Sequence, residues 1–219
     1  TRLLASKGYN VALVARDEAR LHERAAGLRE KYGVQTFVLP ADLSTNEGCR
    51  SVEDYISTYE IEVLINNAGF GINKAFSTSQ MDAEQQMFDV LVRTPMRLMH
   101  TIIPGMKERK SGIIINNSSV ASFIAGGTYS AAKSYMTVLS ESMNTELASS
   151  GVKVSALCPG FTRTEFHERG RMKMGGLPNF MWLNADKLVA QSWKDALANK
   201  PVSIPGWQYK LLVGVISTI

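Results

Sequence analysis

Cysteine is scarce in this chain: of 219 residues only Cys49 and Cys158 are thiols. They are far apart and form no C-x-x-C pair, so no disulfide framework organises the fold. Two lone thiols fit a reducing compartment, and a cytoplasmic location is the expectation. Histidine is equally sparse. His22, His100 and His167 have no metal-ligand spacing, and a zinc site needs at least three convergent ligands, so no metal is expected. No apolar run reaches the roughly 20 residues of a membrane-spanning helix. Charge of one sign is not concentrated either. The 24 Lys and Arg residues stand among 20 Asp and Glu, for a net charge of +4. A nucleic-acid groove needs a clustered basic face with stacking aromatics, and none is visible. There is no internal repeat and no break in composition, so residues 1–219 read as one domain.

What is present is alternation. Asn10 to Ala15, Val34 to Leu39, Glu62 to Asn66, Gly112 to Asn116 and Val152 to Leu157 are short apolar runs rich in Val and Ile, which suits buried parallel strands. Helical stretches lie between them. Asp17 is placed to cap one that runs to Tyr32 and stops at Gly33. Thr45 to Tyr59 is another. Met81 to Lys110 is helical with bends at Pro95 and Pro104, and Tyr129 to Ser149 is a long helix. Asn184 opens one more, to Ala198. Pro201 to Gly206 holds a last short strand, and Tyr209 to Ile219 an apolar helix for a core or dimer contact. This order predicts an α/β fold: a Rossmann-like, doubly wound parallel sheet with helices on both faces. Arg169 to Pro178, rich in glycine and charge, reads as a mobile loop beside a ligand site.

The chemistry-bearing residues sit where such a fold places ligands, beyond the carboxyl ends of strands. In Tyr129-Ser-Ala-Ala-Lys133 the two ends share one helix face. A phenol titrates near 10, too high for proton transfer at neutral pH, and an ammonium one turn away favours the phenolate. Tyr129 would then exchange a proton with a carbonyl or alcohol oxygen. Alone the pair is weak, because seven tyrosines make one Tyr-x-x-x-Lys unremarkable. However, Ser118-Ser119 follows one strand and Asn66-Asn67-Ala68-Gly69 another, so all three motifs point to one rim.

Taken with Asp42-Leu43 and Pro159-Gly160, each directly after a strand, these motifs resemble the short-chain dehydrogenase/reductase family from Gly8 to about Glu165. The resemblance implies an oxidoreductase that moves a hydride between a nicotinamide dinucleotide and a carbonyl or secondary alcohol. It implies that Asp42 and Leu43 lie near the adenine and that Asn67, Ala68 and Gly69 line the cofactor. It further implies that Ser119 holds the substrate oxygen, Tyr129 is the acid/base, and Lys133 lowers the Tyr129 pKa and holds the ribose. Pro159, Gly160 and Thr164 would flank the nicotinamide. Residues 161–219 would form the substrate loop and C-terminal part. Phe70, Phe123, Phe161 and Phe166 beyond the strand ends hint at an apolar substrate, though core packing explains them equally well. A homodimer or homotetramer is expected, with Met136, Leu139 and Met143 as a candidate contact stripe.

Cofactor choice follows from charge. Members that use NAD carry an acid at the end of the strand that here closes with Ala15. Arg16 follows instead, and a guanidinium suits a 2′-phosphate, which predicts NADP(H). Three departures stand out. The family's glycine-rich phosphate turn and the strand before it are missing, and an upstream segment is expected to supply them. Leu91 stands where the family has an asparagine that supports a water in the proton relay. The stretch from Ser119 to Tyr129, around Gly126-Gly127, is short. The second and third leave open another reading, a catalytically impaired dinucleotide-binding or scaffold protein of the same fold.

Overall fold

The computed structural model describes residues 1–163 and 178–216. In chain order the elements are α1 (Arg2–Ala5), β1 (Val11–Ala15), α2 (Glu18–Tyr32), β2 (Thr36–Pro40), α3 (Asn46–Thr58), β3 (Val63–Asn66), α4 (Met81–Phe88), a π-helical turn (Asp89–Arg93), α5 (Thr94–Glu108), β4 (Gly112–Asn117), α6 (Gly127–Glu146), β5 (Val152–Leu157), α7 (Ala185–Leu197), β6 (Val202–Ser203) and α8 (Trp207–Ile216). The helix boundaries follow local chemistry. The side chains of Asp17, Thr45 and Asn184 accept from the backbone N–H groups of Arg20, Gly48 and Lys187, capping α2, α3 and α7. Gly33 ends α2 in the left-handed conformation, at φ 69°.

All strand pairs are parallel: β1 with β2, and β3-β4-β5-β6 in sequence order. Side chains of β4 and β5 alternate between two layers, as the pleat requires. Ile114, Val152 and Val154 face a cluster built from α3, α5 and α6. Ile113, Ile115 and Leu157 face a second cluster with Leu188, Trp193 and Ala196 of α7. Helices therefore cover both faces, and the expected Rossmann-like architecture is present.

The sheet is divided in one place, as the strand missing before β1 leads one to expect. Among the described residues no strand pairs with β1 on the side away from β2, or with β3 on the side away from β4. The two halves share their packing: Val14 of β1 and Leu64 of β3 lie against the same cluster. Ile65, in the middle of β3, is 41% exposed, whereas Ile114 in β4 is 0% exposed. A parallel strand flanked on both sides buries such a residue. The exposure of Ile65 is what one unflanked edge produces.

Neither proline in the 81–110 region ends a helix. The backbone passes from α4 to α5 in helical conformation, and the N–H of Thr94 bonds to the carbonyl of Asp89, five residues back. Pro95 has no N–H to return to Leu91, and the wider turn just before it absorbs that defect. Pro104 sits inside α5 at the turn after exposed His100, whose carbonyl it cannot bond. The α6 stripe expected at an oligomer contact packs inward instead. Met136 is 2% exposed in the core, with Leu139 and Met143 against it. The opposite face presents Tyr135 and Val138 to solvent.

Candidate active site

The ends of β3 and β4 are stitched together by asparagines in register. Asn66 Nδ2 donates to Asn116 Oδ1 at 2.8 Å, and Asn117 Nδ2 donates to Asn67 Oδ1 at 3.1 Å. Asn116 in turn donates to Ser140 Oγ of α6 at 2.9 Å. Next along β4, the Ser118 hydroxyl donates to the Lys133 carbonyl at 2.8 Å and lies 2.7 Å from Thr137 Oγ1. These buried bonds fix α6 against the end of the sheet. The Asn66-to-Gly69 turn, the Ser118-Ser119 pair and the Tyr129–Lys133 face are thereby brought together, as the strand-end argument anticipated.

Within this cluster the Ser119 side chain and the Tyr129 phenol share a hydrogen bond. Ser119 Oγ also accepts from Ala121 N at 3.1 Å, which orients it. Lys133 is only 4% exposed. Its Nζ donates to the Asn117 carbonyl at 2.6 Å and lies 5.6 Å from the centre of the Tyr129 ring. A Cβ on Gly69 would come 2.8 Å from Leu91 Cδ2 and 3.9 Å from Lys133 Nζ, so a side chain there would require the Leu91 side chain to shift. Leu91, carried by the π-helical turn, is 2% exposed and packs with Met87, Val92 and Ala132, with Phe70, Ile72 and Tyr129 against them. It brings no polar atom to the side of the site where a relay was expected.

Burial dominates the electrostatics of the two ionisable groups. Burial pushes the Tyr129 phenol up to about 12, with the Ser119 hydrogen bond acting the other way. Burial also brings Lys133 down to about 8, while Cys158 acts in the opposite sense. Burial governs the direction of the Tyr129 shift. The low-dielectric surroundings penalise both charged forms, and the ammonium lies over the ring and donates a hydrogen bond to the Asn117 carbonyl.

A second group of the expected residues lies at the ends of β1 and β2. Arg16 is largely exposed, with Nη1 3.9 Å from Asp42 Oδ2. Asp42 accepts from the Ser44 hydroxyl at 2.7 Å and the Ser44 N–H at 2.9 Å, which, with Arg16, hold its pKa down. The turn is anchored from the π-helical side. The Thr94 hydroxyl donates to the Leu43 carbonyl at 2.7 Å, Arg93 donates to the Ser44 carbonyl at 2.9 Å, and Arg93 also bonds the Asn46 side chain. Pro159 and Gly160 follow β5 beside the site, and the Pro159 carbonyl accepts from Val120 N at 3.0 Å. Thr164, Phe166 and the loop Arg169 to Gly176 with Leu177 lie outside the described residues.

Sequence reasoning missed several contributors. Glu84 of α4, 5% exposed, accepts from Ser79 at 2.5 Å and from Thr128, next to Tyr129, at 2.6 Å. A lone glutamate 45 positions from the tyrosine carries no local signal. Arg93 and Tyr209 were invisible for the same reason. Among the described residues no group of three or more His, Cys, Asp or Glu could hold a metal, and no helix is long and apolar enough to cross a membrane.

Comparison with known proteins agrees with this geometry. The short chain dehydrogenase family model matches residues 1–174. The chain belongs to the short-chain dehydrogenase family. A very-long-chain 3-oxoacyl-CoA reductase of Laccaria bicolor is 32% identical over 163 residues, covering 70% of this chain and 48% of that protein. A human protein described as inactive hydroxysteroid dehydrogenase-like protein 1 is 29% identical, covering 74% of this chain and 51% of that protein. The chain thus spans about half the length of these relatives. A solved short-chain dehydrogenase from Sphingobium yanoikuyae in complex with NADPH superposes with a TM-score of 0.90 at 29% identity, covering 99% of this chain and 87% of that one.

The buried lysine has a measurable consequence for stability. Its folded pKa, about 8, lies below the ordinary 10.5. Between these limits the unfolded chain binds more protons than the folded one, so the Lys133 contribution to stability rises with pH. Below about pH 8 both states are protonated and the full cost of burying the ammonium applies. In urea unfolding, the stability of wild type relative to Lys133→Met should therefore climb by about 1.4 kcal/mol per pH unit between pH 8 and 10. A difference that stays flat over that range would show that the ammonium is not held out of water.

Proposed function

We propose that the protein is an NADP(H)-dependent reductase that interconverts a carbonyl compound and a secondary alcohol, with Tyr129 as the proton donor. The observation that carries this reading is the triad: the half-buried Ser119 hydroxyl bonded to the Tyr129 phenol, with the buried Lys133 ammonium one helical turn away. A phenol held near 12 is fully protonated at neutral pH. It is poised to give a proton rather than to take one, which favours the reductive direction.

The residues present fit a nicotinamide dinucleotide. The exposed Arg16 guanidinium at the end of β1 suits a 2′-phosphate. Asp42 and Leu43, on a turn clamped by Arg93 and Thr94, would bound the adenine. The small turn Asn67-Ala68-Gly69 lets backbone approach closely, and the buried Asn117 Oδ1 beside it has no hydrogen-bond partner among the described residues. Lys133 has three donors, of which the Asn117 carbonyl takes one, leaving others for ribose hydroxyls. Pro159, Gly160 and Thr164 would flank the nicotinamide. When bound, the cofactor supplies the hydride to the carbonyl carbon. Ser119 holds the carbonyl oxygen and Tyr129 protonates it as the C–H bond forms, giving the alcohol. The Tyr129 oxygen then regains its proton from solvent by a path that Leu91 does not serve. Phe70, Ile72 and Leu91 against Tyr129 favour an apolar substrate.

The Leu91 contact favours one other reading, an impaired member of the family that binds the dinucleotide without turnover. Oxidation of NADPH by purified full-length protein, followed over a panel of apolar ketones, separates the two. The expected result is turnover that is faster with NADPH than with NADH. It should fall by about 10²–10⁴ in Tyr129→Phe, with cofactor affinity unchanged. NADPH binding without turnover on any carbonyl would select the impaired reading.

We also infer that β1 and β3 flank a further parallel strand carrying the phosphate-binding turn, because the exposed Ile65 and the unpaired edges leave the sheet incomplete. Ile65→Asp should then cost the full-length protein about 3 kcal/mol or more, as an unpaired buried charge does. A cost below about 0.5 kcal/mol, as at an open surface, would refute the inference.

A further inference from the structure

Chain leaving β5 runs through Pro159, Gly160, Phe161, Thr162 and Arg163, and chain returning from Pro178 runs past it. The two arms touch as parallel backbone. Thr162 pairs with Leu183, Leu183 N donates to the Phe161 carbonyl at 2.8 Å, and Arg163 N donates to the Leu183 carbonyl at 3.3 Å. Each arm carries an aromatic wall, Phe161 and Trp182, with ring centres 6.1 Å apart. The Arg163 guanidinium lies 5.5 Å over the Trp182 ring.

Tyr209, from the distant helix α8, is 1% exposed and reaches both arms. Its hydroxyl accepts from Phe161 N at 3.0 Å and donates to the Met181 carbonyl at 2.6 Å. Its ring occupies the space a side chain at position 160 would need: a Cβ on Gly160 would lie 2.0–2.3 Å from three ring carbons. A buried core tyrosine needs one partner for its hydroxyl. This one satisfies a donor on one arm and an acceptor on the other, and its ring fits the one residue between them and β5 that has no side chain.

We propose that Tyr209 is a positioning residue: its hydroxyl pins the two mutually bonded arms to α8, and with them the packed Phe161–Trp182 pair against which the carbonyl substrate binds. The proposal rests on the reductase reading for the identity of the substrate, while the geometry of the pin stands independently of it. Removing the hydroxyl takes its partner from a half-buried N–H and a half-buried C=O without emptying the ring site. The arms then drift, while Tyr129, Ser119 and Lys133, held by the bonds of β4 to α6, stay in place.

The test is Tyr209→Phe in the full-length protein. The expected result is a KM for an apolar ketone raised about tenfold with kcat within about twofold, the pattern of lost binding with intact chemistry. Hydrogen exchange of the Phe161 amide should accelerate at least about tenfold, the equivalent of one lost net hydrogen bond. A general loss of folded enzyme would instead lower kcat and leave KM alone, and that pattern overturns the proposal. An unchanged KM overturns the role in substrate binding, and unchanged exchange at Phe161 overturns the pin. Failure of the reductase reading would show separately, as wild-type protein that turns over no ketone while the exchange experiment still decides the pin.

Discussion

Lys133 brings an ammonium group into a position with 4% exposure, and much of the site is arranged around that burial. A buried charge needs partners. The Asn117 carbonyl gives one at 2.6 Å, and Asn117 is placed by the end of β4 and by its bond to Asn67. The lysine's own carbonyl is tied to Ser118, so head and root of the residue are both fixed to the same strand end. Gly69 lacks a side chain where Leu91 and the ammonium crowd it. Tyr129, one turn before Lys133, inherits its place from the same anchoring.

The same constraint explains how distant elements serve one site. The π-helical turn carries Leu91 toward Gly69 on one side. On the other, its Arg93 and the following Thr94 clamp the turn that holds Asp42 and Leu43. One local defect, imposed by the missing N–H of Pro95, thus couples the β2 end of the sheet to the Tyr129 end. Burial acts on both ionisable groups of the site. A dry pocket that costs the ammonium part of its basicity costs the phenol its acidity too, so Tyr129 stays protonated. An alkoxide formed beside it is a far stronger base than a phenolate, and transfer from Tyr129 to that oxygen remains downhill.

Much of the architecture was legible in the sequence, because its signals are local. The Val and Ile runs, the caps at Asp17, Thr45 and Asn184, and the stop at Gly33 each act within a few residues, and each element appears where those signals put it. The motif positions at strand ends were legible for the same reason: Asn66, Ser119 and Tyr129 each follow a strand or open a helix. What failed depends on long-range packing. Both faces of α6 carry apolar residues, so periodicity alone did not show that Met136 turns inward while Tyr135 and Val138 face solvent. The direction of the Tyr129 shift depends on Phe70, Ile72 and Leu91, brought from far along the chain. Tyr209, 80 positions from Tyr129 in an apolar tract, looked like any core aromatic until its two backbone partners were in view.

The account turns on Tyr129 being an acid at rest. The most direct measurement is an ultraviolet difference titration of the protein against its Tyr129→Phe variant, without cofactor, which isolates the ionisation of this one phenol. The account predicts no phenolate through the neutral range and ionisation near 12. A phenolate already formed by about pH 8, where the unperturbed group titrates near 10, would show that Lys133 dominates over burial and would contradict it.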